Sequence, residues 1–541
     1  MKKNKFAKLL LLSLVSGILL AVPYIFPHCG IIALIAFLPL LAADHIAKEN
    51  KTRHFWICYY SAFLVWNIIA TWWIWYATPA GAVAAIILNA LQMAIIFRLF
   101  RTRFISGKCG LFPYVALAVM WCAWEYNYQN WQVTWPWLNL GNSFAQSIKH
   151  IQWYEFTGST AGSLWILIIN GLVFKTLQHL SEGRKAYGYA VGAILLFAIP
   201  STYSHLRYSQ IGKQLPSSQK EVVILQPNID PYTDKFSGLS QRQQDSILLR
   251  LAQDNVTDST FLVVAPETFF NPSSTAGNIV ENNPANKTLD TIRSFASDHG
   301  TNFLFGAVTC KFYPPSYEKP TVTARQSGQQ WYDLFNTAVF VDQENKVNFY
   351  HKSKLVIMAE TIPYINGKSV FSSLGLDLGG GFGNFGKQEF RTTFTSKDNI
   401  KIGTAVCYES VFSNFFREYI LEGANLMTVI TNDGWWKNTS GHIQHLHYAS
   451  LRAIETRRDI ARSANTGISA IINRRGDIIQ PTPWWNECAI RGLVTPDDHL
   501  TCFVRHGDLA GKCCTLLFIL EIVFMIIASL AGLVTRILRR R

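Results

Sequence analysis

The segment KIGTAVCYES (401–410) is the stretch on which the fold reading turns. An unbroken apolar run leads into Cys407, and the polar Tyr408-Glu409-Ser410 follow at once. A strand buried on both faces reads as such a run, whereas a half-exposed strand alternates. The same signature recurs in EVVILQPNI (221–229), TFLVVAPE (260–267), NFLFGAVT (302–309), TAVFVD (337–342), ANLMTVITN (424–432) and GISAIINR (467–474). Helix-like stretches at 239–254 and 443–464 lie between them. Apolar strands alternating with helices predict an α/β domain whose sheet is covered by helices.

In such a domain the strand ends matter, because sites form just beyond the carboxyl ends of the strands. Cys407 closes one run, and Glu267 closes another in VVAPETFF (263–270). Lys352 sits in FYHKSKLV (349–356), between polar loops and an apolar run. Each has a blander reading when taken alone. A thiol after an apolar run is usually a small buried hydrophobe. A carboxylate there often serves a salt bridge or a helix start. A loop lysine is normally solvated surface. Jointly they supply a thiol, a base to deprotonate it and a cation for a tetrahedral oxyanion, the needs of cysteine acyl chemistry.

Outward from this domain the chain turns apolar. Over 541 residues, 49% are hydrophobic and 16% charged, against the roughly 25% charged of an ordinary soluble domain. That composition excludes disorder, and 35 Gly and 10 Cys are too few for a collagen or a disulfide scaffold. A bilayer span needs about 20 mostly apolar residues. Eight stretches are read as spans: 9–26, 30–43, 55–76, 80–100, 111–126, 160–177, 187–203 and 514–537, the second being short. The predicted organisation is a seven-span membrane domain at 1–204, a non-membrane domain at 205–512, and a final span with a basic tail at 513–541.

The net charge of +14 follows the same division. The N-terminus, three alternate loops and the C-terminus hold eighteen Lys and Arg against Asp44, Glu49 and Glu182. The loop between the fifth and sixth stretches holds one cation, Lys149. Cytoplasmic loops carry the Lys and Arg excess, so both termini are expected inside and the domain at 205–512 outside. The positive charge thus marks orientation and argues against a nucleic-acid partner.

Several features look like other chemistry. Gly381-Phe382-Gly383-Asn384-Phe385-Gly386 fits G-x-G-x-x-G but does not join a strand to a helix. It reads instead as part of an apolar lid, 378–386, with Trp484-Trp485 as a second water-excluding element. His442, His445 and His447 would not converge on one metal from one helix, so structural or supporting roles are expected, and neither metal nor cofactor. Cys488 and Cys502 are open to pairing or to two reduced thiols. Glu125 lies at a span edge and Glu521 within the last span.

The order Glu267, Lys352, Cys407 resembles the nitrilase superfamily. Thr431-Asn432-Asp433-Gly434-Trp435 after the Cys, and RAIETRRDIARSANTGISAIINRRGDI (452–478), are similar to that superfamily's nucleophile region and the helix-strand stretch after it. Such a domain between seven spans and one resembles the bacterial apolipoprotein N-acyltransferases, as does TWPWLNLGNSFAQ (134–146) before the sixth span. The resemblance implies an α-β-β-α sandwich in the periplasm, inserted in a multi-pass protein of the bacterial inner membrane. It implies acyl transfer from a phospholipid, phosphatidylethanolamine, to the N-terminal amine of a diacylglyceryl apolipoprotein, by a monomer. Cys407 would carry the acyl group, Glu267 act as base and Lys352 support the oxyanion. The family's second Glu falls on Glu360, here preceded by Ile357-Met358-Ala359 rather than Pro-Phe-Gly. Its Tyr-Glu pair falls on Tyr408 and Glu409, its Trp after a Lys on Phe236 after Lys235, and Trp435 is a further supporting residue. Two other readings share parts of this pattern. A membrane-tethered amidase would release ammonia from small amides and has no need of eight spans. A transporter or receptor would leave the Glu-Lys-Cys set without a purpose.

Overall fold

The computed structural model describes residues 2–102, 105, 110–213, 218–271, 277–316, 318–361, 364–365, 368–369 and 384–538. They fall into two compact units: residues 1–72, 82–210 and 506–541 in one, and 73–81 with 211–505 in the other.

All eight stretches read as spans are helical: Lys2–Ile25, Leu38–Glu49, Trp56–Thr71, Pro79–Phe100, Phe112–Tyr128, Ser159–Ser181, Tyr187–Gly212 and Leu509–Leu538. Among the described residues, six helical stretches are long and apolar enough to cross a membrane. Trp56–Thr71 and Phe112–Tyr128 are shorter, at 16 and 17 residues. The second stretch is not one regular helix. A 3₁₀ turn at Gly30–Leu34 precedes Leu38–Glu49. Backbone polar groups freed by such a break need partners in an apolar setting. Asn170 supplies them, donating Nδ2 to the Ala33 carbonyl at 2.9 Å and accepting from the Phe37 N–H at 2.9 Å. Buried Glu125 has a similar duty. Its carboxylate accepts from Trp121 Nε1 (2.9 Å), the Leu140 N–H (2.8 Å) and the Ser163 hydroxyl, which holds the 3₁₀ turn Leu140–Phe144. That is a structural task and needs no transport function.

Among the described residues the α/β unit holds sixteen strands: β1 (Lys220–Gln226), β2 (Thr260–Val264), β3 (Ile279–Val280), β4 (Asn302–Phe312), β5 (Arg325–Ser327), β6 (Gln330–Val341), β7 (Val347–His351), β8 (Tyr364–Ile365), β9 (Lys368–Ser369), β10 (Thr393–Thr395), β11 (Lys401–Val406), β12 (Leu426–Thr431), β13 (Ile460–Ala464), β14 (Ala470–Ile472), β15 (Ile478–Ile479) and β16 (Cys488–Val494). One sheet runs β16-β1-β2-β4-β6-β5, with β3 beside β4 and β7 beside β6. The second runs β10-β11-β12-β13-β14-β15. In each the central strands are parallel: β1, β2 and β4 in the first, β11, β12 and β13 in the second. The sheets face one another through β1 and β2 against β13. Helices Gln241–Gln253 and Lys287–Asp298 cover the first sheet, and Ser413–Leu421 and Ser440–Thr456 the second. This is the α-β-β-α sandwich.

Layering explains the unbroken apolar runs. Every residue of β2, β12, β13 and β14 is buried. The outer helices are amphipathic and properly begun. Ser240 and Gln243 form a capping box, and Asn286 caps the Thr288 and Leu289 N–H groups. One expectation needs correction. The helix-like reading of 443–464 merges two elements, because the helix ends at Thr456 and β13 follows. Arg457 takes the left-handed conformation (φ +52°) that commonly ends a helix. An apolar run does not by itself distinguish a buried helical turn from a buried strand.

Candidate active site

The parallel strands deliver the chemistry from their carboxyl ends. Glu267 lies three residues past β2, and Cys407 follows β11 directly. Lys352 comes straight after β7, which pairs antiparallel with β6. The Lys352 N–H donates to the Asn336 carbonyl in β6 at 2.8 Å, so the lysine starts from a sheet-anchored backbone. Thr268 and Cys407 both have left-handed backbones, at φ +46° and +52°. Such conformations are costly for residues with a Cβ and persist where the surroundings enforce them, often at active sites. Gly306 in β4 shows how tightly the Glu267 turn is held. A Cβ there would lie 2.5 Å from both Glu267 Cα and the Thr268 nitrogen.

Lys352 is buried between two carboxylates. Its Nζ donates to Glu267 Oε1 at 2.9 Å and to Glu360 Oε1 at 3.0 Å. Asn336 donates its Nδ2 to the same two atoms, at 2.8 and 2.7 Å. The Val356 N–H occupies Glu360 Oε2 at 2.8 Å. Burial pulls the Lys352 ammonium down, but Glu267 and Glu360 outweigh it and hold the lysine well above its ordinary value. Burial alone would raise Glu267, yet Lys352 and Asn336 hold it below the usual carboxylate range. Burial pushes the Cys407 thiol well up; Glu267 adds to this and Lys352 opposes it. The resting state is therefore carboxylate, ammonium and neutral thiol. In that state the neutral thiol can give up a proton and the ionised Glu267 can accept one.

Glu409 ties the lysine loop to the cysteine strand. Its Oε1 accepts from Tyr350 OH (2.9 Å) and the Ser353 N–H (2.6 Å). Its Oε2 accepts from the Val406 N–H (2.8 Å) and Tyr419 OH (3.1 Å). Burial raises this carboxyl, while the Val406 and Ser353 N–H groups draw it back. Tyr408 is buried and packs edge-on against Phe412 at 4.9 Å. Trp435 stands 5.4 Å from the Tyr232 ring, and its carbonyl accepts from Tyr232 OH at 2.7 Å.

The side chain of Phe236 lies outside the described residues, as does 378–383 of the predicted lid. The end of that segment is described: the Phe385 N–H donates to the Glu360 carbonyl at 3.0 Å. His442 stacks on Trp484 at 3.8 Å, and His445 lies against the Cys407 carbonyl. Cys488 and Cys502 are both free.

Sequence reasoning missed Asn336 and Lys235. Asn336 lies just ahead of the run 337–342, and a lone Asn there carries no signal of its own. Lys235 resembles any loop lysine until its burial is known. Its Nζ donates to the Glu267 carbonyl (3.2 Å) and Thr268 Oγ1 (2.9 Å), bracing the strained turn that aims Glu267. Burial lowers its ammonium to about 7, although Glu267 and Cys407 pull the other way. Below that pH a second cation stands by the thiol, and above it the cation is lost. Lys235→Met is therefore expected to slow iodoacetamide alkylation of Cys407 about tenfold near pH 6, and by less than about threefold near pH 8.5, the size of one unit of thiol shift. Equal loss at both pH values would show that Lys235 does not titrate in this range.

Two family profiles match the chain. One, apolipoprotein N-acyltransferase N-terminal domain, covers residues 16–172, and one, carbon-nitrogen hydrolase, covers 223–496. The apolipoprotein N-acyltransferase of Chlorobaculum tepidum is 28% identical over 93% of this chain and 94% of its own. That of Geobacter metallireducens is 24% identical over 93% and 92%. That of Pasteurella multocida is 23% identical over 96% and 95%.

Proposed function

The chain belongs to the carbon-nitrogen hydrolase family, in its apolipoprotein N-acyltransferase branch, and from that premise we propose how the Glu267-Lys352-Cys407 site performs the transfer. The protein is a multi-pass inner-membrane N-acyltransferase that moves an acyl chain from a phospholipid to a lipoprotein. The donor is phosphatidylethanolamine, and the enzyme works as a monomer. The termini are cytoplasmic and the catalytic domain, 205–512, periplasmic, between a membrane domain at 1–204 and a tail at 513–541.

In the first half-reaction Glu267 takes the Cys407 proton as sulfur attacks the ester carbonyl. Lys352 and backbone N–H groups hold the oxyanion. Collapse breaks the C–O bond, Glu267 returns the proton to the leaving oxygen, and a lysophospholipid departs. In the second, the α-amine of the diacylglyceryl cysteine attacks the thioester. A C–N bond forms and the C–S bond breaks. The amine's proton passes through Glu267 to the thiolate. Glu360 and Asn336 keep Lys352 in place, and Glu409 sets its loop against Cys407. Tyr408, Trp435 and Phe236 supply apolar surface for the acyl chain. Both substrates are held in lipid, so a membrane platform replaces an encounter in water. The buried thiol also protects a thioester from hydrolysis.

The observation that carries this reading is the single buried ammonium shared by Glu267 and Glu360, with the thiol in their field. The test is a burst experiment on the full-length enzyme in detergent with phosphatidylethanolamine and no acceptor. Lysophospholipid release should stop at one equivalent per enzyme, with one acyl chain added to the intact mass. A diacylglyceryl peptide should then restart turnover. Continuous fatty-acid release without acceptor, or ammonia from small amides, would overturn the transferase mechanism in favour of hydrolysis.

A further inference from the structure

His445 reaches the nucleophile from behind. It lies in the helix Ser440–Thr456 and is fully buried. Its Nε2 sits 3.0 Å from the Cys407 carbonyl oxygen and 2.9 Å from Ser410 Oγ. A carbonyl only accepts, so Nε2 carries the hydrogen. Ser410 Oγ donates to the same carbonyl at 2.8 Å. On its other side, His445 Nδ1 faces Asp433 Oδ1 at 2.9 Å. Asp433 is fixed in turn by Thr431 Oγ1 (2.6 Å) and by the buried Arg462 guanidinium. Burial alone would raise Asp433, but Arg462 and His445 hold it well below the usual carboxylate range, so it is an anion throughout. The Trp436 ring stands edge-on to the imidazole at 5.5 Å, and Trp73 packs on Trp436 at 4.8 Å. Every polar face of the ring is engaged, and its rotation is blocked.

The target of this clamp is a strained residue. Cys407 has φ +52°, a conformation the sheet alone does not favour. Two donors converge on its carbonyl and hold it there. The peptide is planar and trans, so fixing the Cys407 carbonyl fixes the Tyr408 N–H on the opposite edge of the same plane. That N–H is a donor next in sequence to the reacting sulfur. We propose that His445, locked by Asp433 and Arg462, is the positioning residue that sets the Cys407–Tyr408 peptide for acyl transfer. It touches neither substrate nor sulfur; it acts through the peptide. The inference rests on Cys407 as nucleophile.

Two amide replacements of similar polarity separate this role from general support of the core. His445→Gln places an N–H where Nε2 was, and so keeps the bond to the Cys407 carbonyl. His445→Asn places it where Nδ1 was, keeping Asp433 and losing the carbonyl. The readouts are single-turnover acylation by phosphatidylethanolamine and steady-state kcat and KM, on full-length enzyme whose melting temperature is measured in parallel. The Gln variant should stay within about threefold of wild type in kcat, and the Asn variant should fall about thirtyfold with KM within about twofold, short of the loss of a whole oxyanion donor. Equal kcat in the two variants, or a change carried by KM, would overturn the proposal. If Asn melts early and Gln does not, the kcat of the folded fraction decides in the same way. Wild type is the control: failure to form an adduct on Cys407 would overturn the nucleophile assignment itself, whereas a wild-type adduct with equal variants overturns only His445.

Discussion

Cys407→Ala should leave no acyl adduct and no turnover, a loss of at least about 10⁴-fold, because the proposed transfer carries the acyl chain on the Cys407 sulfur. The buried groups around position 407 are arranged for a thiol. Glu267 is held ionised and Lys352 charged, as the proposed base and oxyanion support require. Neither can form the covalent link. Cys407→Ser offers a nucleophile in the same place, but its hydroxyl is a far poorer proton donor than a thiol. Glu267, held at a low carboxylate value, is too weak a base for it. Serine should therefore rescue almost nothing. Intact mass after phospholipid exposure and release of lysophospholipid both report the outcome. An adduct surviving in the alanine variant would place the nucleophile elsewhere.

Lys352→Met should cost both activity and stability. It removes the ammonium bonded to Glu267 and Glu360 and leaves two carboxylates on one side-chain amide. Breaking a buried pair by removing one partner typically costs about 3–5 kcal/mol. Acylation should fall by about 10³-fold or more, as for a lost oxyanion donor together with a base in the wrong protonation state. The pH dependence changes sign. In wild type Glu267 is held below the usual carboxylate range, so its contribution is present at neutral pH and lost as acid protonates it in the fold. Without Lys352, burial dominates and the folded carboxyl rises above its unfolded value. Its share of stability is then present in acid and lost as pH rises through the raised value. Thermal unfolding between about pH 5 and 6.5, below the range in which Lys235 loses its proton, should show the variant melting lower as pH rises, while wild type holds steady. A variant that gains stability with pH, or one that keeps acylation within tenfold, would remove Lys352 from the centre of the site.

The readable parts of the site were those that follow an apolar run. Glu267 and Cys407 stand where buried strands end, and the runs are unbroken because both faces of each sheet are covered. Lys352 stands out only jointly with those two, since residue type alone does not distinguish it from Lys354, and Glu360, Tyr408 and Glu409 come from the family pattern. The illegible parts depend on tertiary burial. Lys235 is hidden by its ordinary composition, and its burial comes from a turn folding under Glu267. Asn336 sits one residue ahead of the run 337–342, and the strand extends back over it only in the fold. His445 was one of three histidines on a helix, and only the packing singles it out. The second span was legible as apolar but not as broken, because the group that permits the break, Asn170, lies far along the chain.

The Glu409 carboxylate has a mechanical consequence. It bonds the backbone at Ser353 and at Val406, the two residues next to Lys352 and Cys407. The chain between these anchors is thus a closed excursion pinned at its neck. A change in its length adds only the slowly growing entropy of a longer loop and exerts no lever arm on the lysine–cysteine spacing. Within that excursion, residues other than Val356, Glu360 and strand β11 can therefore change to suit different lipids or lipoproteins while Lys352 and Cys407 keep their registration. Selectivity and chemistry are free to evolve on separate stretches of the same polypeptide.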